Sequence, residues 1–508
     1  MATQRAGRAR HVSTYPAGDV TAPTQQLGQR AARGAVLTLS AQALRVLVQL
    51  VSVVVLARLL TPHDYGLVAM VLAIIGVGEI FRDFGLSSAA VQAPSLSVAQ
   101  RTTLFWVNSA IGAALALLVV LLAPLLAAFY GEPQLEGIAR MLAPVFLANG
   151  LATQYRASLV RDLRFRALAV ADIASAVLGL GSAIAAAVAG LGFGALVLQQ
   201  LVQAVALLII LAVAARWLPG VPRPGTPVRG LLGFGGALVG SQLVGYVANN
   251  VDSVIIGLRF GAGPLGIYSR AFQLLMTPLN QVRSPLTSVA LPVLSRLADD
   301  ASRFERYVSL GQRALGYTLV AGLGLVAAAA EPLTEVLLGP QWLNAAPVLR
   351  LLAVAGVFQT LAFVGYWVYL ARGLTTTLLH YSIASAVIRV SCVLVGSLGG
   401  IVGVALGYAI APAVSWPLSL WWLSRRSGLP VARLYAGAGR ILASVAVAGV
   451  GAWAGCLVAA SAGPVIQLIV APLALLFGYG LLALLPPIRR DLVSVFGLVR
   501  LVRARTAA

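Results

Sequence analysis

The chain reads as an all-α polytopic membrane protein of about fourteen transmembrane helices, because apolar stretches near the ~20 residues a bilayer crossing needs fill almost everything between Gly34 and Pro487. Two further observations agree. Of the 508 residues, 59% are hydrophobic and only 10% charged, with a mean hydropathy of +0.92. All 36 basic residues are arginine, and most of them fall in alternate connections and the two tails rather than on one folded face. The net charge of +21 therefore indicates membrane sidedness and not nucleic-acid binding.

The predicted spans lie near 34–57, 66–92, 103–126, 138–160, 167–189 and 192–215. A second set follows near 231–259, 264–294, 308–329, 345–371, 376–398 and 401–424, and an extra pair near 438–461 and 464–486. Residues 1–33 are polar and rich in Gly, Pro and Thr, and read as a disordered cytoplasmic tail, not a signal peptide. The expected organisation is an N-lobe over 34–216, a linker over 217–230 and a C-lobe over 231–424. A helix pair within 425–486 and a basic cytoplasmic tail over 487–508 complete it. Arginines on one side (Arg101, Arg161, Arg216, Arg296, Arg425, Arg489 and their neighbours) face loops carrying Glu132, Glu136, Glu331 and Glu335 on the other. Positive-inside logic then places both termini in the cytoplasm.

A repeat recurs at a spacing of about 210 residues. Asp172-Ile173-Ala174-Ser175-Ala176-Val177 returns as Ser382-Ile383-Ala384-Ser385-Ala386-Val387, and Leu142-Ala143 as Leu352-Ala353. Six spans per unit is even, so the lobes are parallel repeats about a pseudo-two-fold axis along the membrane normal.

Polar residues inside spans are costly and mark sites of function or of helix–helix adhesion. In the first span, Thr38, Gln42, Arg45, Gln49 and Ser52 share one helical face. The eighth repeats the device with Arg270, Gln273, Thr277, Asn280 and Ser284, plus Arg283. The seventh carries Asn249, Asn250 and Asp252; the second carries Glu79, Arg82 and Asp83; Arg389 is mid-span in the eleventh. Each single Gln or Asn also fits a role as interhelical adhesive. Glu79, Arg82 and Asp83 fit mutual neutralisation as well as ion coupling. Asp252 fits either a partner for Arg259 or an eighth-span arginine, or a coupling-cation ligand. The two arginine-bearing stripes together point to a hydrophilic cavity. A guanidinium keeps its charge there and grips phosphate oxygens in a bidentate fork, so the cargo is expected to be anionic and rich in hydroxyls. The segment around Asp299, Asp300, Arg303, Glu305 and Arg306 reads as an interfacial amphipathic helix. No loop holds a nucleotide-binding domain, P-loop or metal-ligand cluster; His63 and His380 are isolated, and no cofactor is expected.

Four segments carry a family resemblance: Ala57-Arg58-Leu59-Leu60-Thr61-Pro62-His63-Asp64-Tyr65-Gly66, Phe84-Gly85-Leu86-Ser87-Ser88-Ala89, Asn250-Val251-Asp252, and Gly261-Ala262-Gly263-Pro264-Leu265-Gly266-Ile267-Tyr268. Over residues 34–424 the chain resembles the oligosaccharide and polysaccharide flippases of the multidrug/oligosaccharidyl-lipid/polysaccharide superfamily, the Wzx-type O-antigen and exopolysaccharide group. The resemblance implies alternating access by two lobes. The implied cargo is an undecaprenyl-diphosphate-linked oligosaccharide repeat unit, moved from the cytoplasmic to the outer face. It implies that Arg45 and Arg270 hold the diphosphate, with Arg283 and Arg389 as weaker counterparts, and that Asp252 stands where such proteins carry an acid. Expected partners are the cargo, membrane lipids and other polysaccharide-assembly proteins. A multidrug exporter of the same superfamily would instead need acidic and aromatic cavity walls. A polysaccharide polymerase or ligase would need a large outer loop, and a non-transporting scaffold would need neither.

Overall fold

The computed structural model describes residues 40, 42–83, 97–222, 229–428 and 430–506. Among them every regular element is helical. The first helices are α1 (Gln42–Leu59), α2 (Pro62–Asp83), α3 (Val98–Tyr130), α4 (Gln134–Arg161), α5 (Phe165–Val188) and α6 (Phe193–Ala215). The second group comprises α7 (Arg229–Phe260), α8 (Ala262–Arg296), α9 (Ala301–Leu315), α10 (Ala321–Ala328), α11 (Ala330–Leu338), α12 (Ala346–Ala371), α13 (Thr375–Gly396) and α14 (Gly400–Ser427). The last three are α15 (Ala432–Val458), α16 (Pro464–Leu482) and α17 (Pro486–Thr506). The family-like segment Phe84–Ala89 lies outside the described residues.

By length and composition, ten helices among the described residues are fit to cross a membrane, or eleven counting one bent pair. Three features separate that number from the fourteen expected. Thr375–Ser427 passes as one 53-residue helix, yet α13 and α14 form a hairpin broken at Ser397–Gly399. There the backbones touch: a Cβ on Gly396 would lie 2.2 Å from the Gly403 carbonyl oxygen. The second feature is α7 and α8, which have 32 and 35 residues and are long enough: the polar stripe of α8 keeps it below the hydropathy a span shows on its own, and the side chains of residues 229–241 of α7 lie outside the described residues. The third is α9, which is not a separate interfacial helix. It runs through a π-helical turn at Gly316–Val320 into α10, and the chain then bends by 81° into α11. The charged segment expected at the interface is thus the first turns of the ninth span.

Local chemistry sets the boundaries. Thr61 and Asp64 cap α2 reciprocally: the Asp64 carboxylate accepts from the Thr61 amide at 3.0 Å, and the Thr61 hydroxyl accepts from the Asp64 amide at 3.3 Å. Ser97 and Gln100 form the equivalent box for α3. Asp300 caps α9 by accepting from the Arg303 amide at 3.0 Å. That bond, with the Ser302 hydroxyl, holds the Asp300 carboxyl below its ordinary value, so this cap persists at neutral pH and is lost only as pH falls below the usual carboxylate range.

The helices α2–α6 gather into one bundle, built on the α3–α4 and α5–α6 pairs and joined by α1 through the Ser52–Gln199 hydrogen bond, and α7–α14 into a second, built on α12, α13 and α14. They meet where α2 lies against α8 and α7. The crossing is reciprocal: a Cβ on Gly66 would lie 1.7 Å from the Ala262 carbonyl oxygen, and one on Gly266 1.7 Å from the Pro62 oxygen. A two-fold relation between α2 and α8 produces such mirrored contacts. At the same end the α11–α12 connection docks onto α1. The Trp342 indole and the Gln341 amide both donate to the Ala57 carbonyl at 2.7 Å, and Arg58 donates to that of Val336. The residues expected as a C-terminal tail instead include α17, which is held to α9 and α15 through Asp491.

Candidate functional site

Between the bundles lies a cavity of about 360 Å³, walled by α1, α2, α5, α6 and α8. Arg45, Gln49 and Ser52 reach it from α1 because their spacing keeps one helical face toward it. Arg270, Gln273 and Thr277 reach it from α8 by the same periodicity. Arg45 and Arg270, one from each bundle, therefore face a single chamber.

Arg270 is 8% exposed, with its guanidinium carbon 3.7 Å from the centre of the Tyr65 ring. That stacking on an aromatic face is a cation–π contact, which offsets part of the cost of burying the charge. Its Nε has no hydrogen-bond partner, nor does the buried Tyr65 hydroxyl. Among the described residues, no ion pair involves Arg45 or Arg270, and no carboxylate lines the chamber. A buried cation without a carboxylate leaves a positive potential in a confined space, the electrostatic condition for holding an anion.

The wall opposite holds residues that the sequence reading did not single out. Gln199, Gln200 and Gln203 of α6 line the same chamber, and the Gln199 amide donates to Ser52 Oγ at 3.0 Å. Their signal was available: three amides within five residues of an otherwise apolar span. Gln281 was also missed. Its carbonyl oxygen accepts from Gln42 at 3.0 Å and its amide donates to Gln49 at 2.9 Å, so one α8 side chain ties two turns of α1 together across the bundles. Gln42 and Gln49 thus act at least in part as interhelical adhesive.

The remaining predicted residues sit elsewhere. Arg389 donates to Asn249 and lies 5.6 Å from the Tyr408 ring. Arg283 donates to Asn280 at 2.8 Å and to Gln359 at 3.1 Å, beside a separate open cleft. Asn250 donates to the Tyr246 carbonyl at 2.9 Å. Asp252 is buried and accepts from the Tyr268 hydroxyl and the Ser253 amide; Arg259 turns instead to Ser397 Oγ at 2.6 Å. Glu79 accepts from Arg82 at 2.7 Å and from Asn149 at 3.1 Å, while Arg82 also donates to Thr153 at 2.6 Å. This closed network joins α2 to α4. The Asp83 side chain lies outside the described residues.

The family model described as "Polysaccharide biosynthesis protein" matches residues 55–347, more than half of the chain. The chain belongs to that family. Within the polysaccharide biosynthesis protein family it is 28% identical over 350 residues to the teichuronic acid biosynthesis protein TuaB of Bacillus subtilis, covering 68% of this chain and 72% of TuaB. It is 28% identical over 386 residues to the succinoglycan biosynthesis transport protein ExoT of Rhizobium meliloti, covering 75% and 77% of the two chains. Against the lipopolysaccharide biosynthesis protein WzxC of Escherichia coli it is 23% identical over 377 residues, covering 73% and 76%. Among solved structures the fold is similar to the lipid II flippase MurJ in an inward closed conformation. The TM-score is 0.68 at 14% identity, over 90% of this chain and all of that one. A multidrug resistance MATE family transporter of the MOP superfamily gives a TM-score of 0.56 at 17% identity, over 78% of this chain and 99% of that one. At those identities the likeness is one of fold, a two-lobed helical architecture.

Proposed function

We propose that this member of the polysaccharide biosynthesis protein family is a transporter, not an enzyme: a flippase that carries a lipid-linked oligosaccharide across the bacterial plasma membrane by alternating access. The observation that carries this reading is the shared chamber, where Arg45 and Arg270 meet without a carboxylate lining the wall. An undecaprenyl-diphosphate headgroup supplies the missing negative charge, and two guanidinium groups from opposite lobes hold it bidentately. The glutamine amides of α1, α6 and α8 offer both donors and acceptors to sugar hydroxyls. A cationic drug would meet repulsion in the same place. The relatives TuaB, ExoT and WzxC, named for teichuronic acid, succinoglycan and lipopolysaccharide biosynthesis, support the cargo class.

Deleting the protein is expected to halt surface polysaccharide while its lipid-linked precursor accumulates in the cytoplasmic leaflet. Mass spectrometry of extracted lipids measures that pool, and normal polysaccharide with no accumulation would refute transport. The loop-charge alternation supports two cytoplasmic termini, with Glu132 and Glu335 outside. Reporter fusions at those two positions are expected to be active only as exported domains; cytoplasmic signals from both would reverse the sidedness.

A further inference from the structure

The charged first turns of α9 face the start of α15. With the start of α15 they enclose a second, polar pocket of about 430 Å³, to which Arg306, Ser309, Arg313, Arg433 and Arg440 contribute. Gln312 fixes the seam by donating to the Leu434 carbonyl at 3.0 Å. Two carboxylates partly neutralise the four arginines. Glu305 pairs with Arg433 at 3.2 Å, and Asp491 of α17, only 3% exposed, pairs with Arg440 at 2.9 Å and Arg313 at 3.4 Å. Arg306 has no partner among the described residues, and the count leaves cationic charge in excess. Apolar side chains at the same end are bare: Leu484 and Leu485 lead into α17 and Val493 lies on it, each at least half exposed, with Arg489 and Arg490 between them. Bare apolar residues next to arginines mark the depth at which acyl chains give way to headgroups.

We propose that this pocket is a binding site for the phosphate of an anionic phospholipid headgroup. It is separate from the cargo chamber and lies at the junction of the C-lobe with α15 and α17. Basic pockets between transmembrane helices hold phosphate headgroups through guanidinium forks while the acyl chains stay in the bilayer. A bound phosphate here bridges Arg306 on α9 to Arg433 on α15 and so couples the trailing helices to the lobe.

The test uses the full chain purified in detergent, with phosphatidylglycerol, phosphatidylcholine, glycerol 3-phosphate and inorganic phosphate as separate probes. Phosphatidylglycerol is expected to bind and raise the melting temperature. Arg306→Ala/Arg433→Ala is expected to weaken it about thirtyfold, on roughly 1 kcal/mol per interfacial guanidinium. Arg306→Ala alone, which breaks no ion pair, is expected to weaken it about fivefold on the same scale, and Arg306→Lys/Arg433→Lys to keep most of the binding. Undiminished binding by Arg306→Ala with a wild-type melting temperature would overturn the site. An equal response to phosphatidylcholine would overturn the phosphate-charge recognition, and equally tight binding of inorganic phosphate or glycerol 3-phosphate would overturn the lipid as its source.

Discussion

Arg45→Ala and Arg270→Ala together are expected to abolish polysaccharide export while leaving the folded protein in the membrane. Each guanidinium contributes about 1.5–3 kcal/mol through hydrogen bonds to a charged group. Losing either slows transport by roughly one to two orders of magnitude, and losing both leaves background. Folding survives because neither side chain neutralises a buried carboxylate among the described residues, so truncation leaves no opposite charge stranded. Arg270→Lys separates charge from shape. Lysine retains the cation but loses the flat face that stacks 3.7 Å over Tyr65 and the fork that grips two oxygens, so export is expected to remain impaired. Export assays normalised to membrane protein level give the answer. Full export by the double alanine variant would remove the cargo role from this chamber.

The second large effect lies at the crossing of α2 and α8. Replacing Gly66 or Gly266 with valine puts at least a methyl group where the opposing carbonyl oxygen already sits, 1.7 Å from an ideal Cβ. The helices must separate by more than an ångström, at a cost of about 1–3 kcal/mol or more for each site. The same shift pulls Tyr65 from beneath Arg270, because Tyr65 adjoins Gly66 in the chain. Both the melting temperature and export are expected to fall, and the two substitutions combined are expected to be non-additive because they wedge one contact. A melting temperature and an export rate both equal to wild type in either variant would show that this close approach does not hold the lobes together.

Much of this was legible in the residues. Arg45, Gln49 and Ser52 could be placed on one face, and Arg270, Gln273 and Thr277 on another, because helical periodicity is a local property. The same logic exposed α8 as a polar span even though it falls short as an apolar one. Pairing across helices was not legible. Arg283, on the same helix as Arg270, turns to Asn280 and Gln359, and Arg389 turns to Asn249. Asp252 takes a tyrosine hydroxyl and not an arginine. Apart from Asn280, three residues from Arg283, those partners lie 16 to 140 residues apart, and no one-dimensional pattern encodes which of several reachable groups is met. Gln199, Gln200 and Gln203 were visible but unremarkable until α6 was seen to wall the chamber.

By itself the sequence determined membrane class, helical architecture, the repeat and the faces that carry polar side chains. These follow from solvent preference and from a 3.6-residue period, both readable residue by residue. Only the tertiary structure decided that Arg45 and Arg270 share one chamber, that two glycines let the bundles touch, and that α9 and α15 enclose a second basic pocket. Those outcomes depend on how whole helices cross, and a crossing is set by contacts between segments hundreds of residues apart.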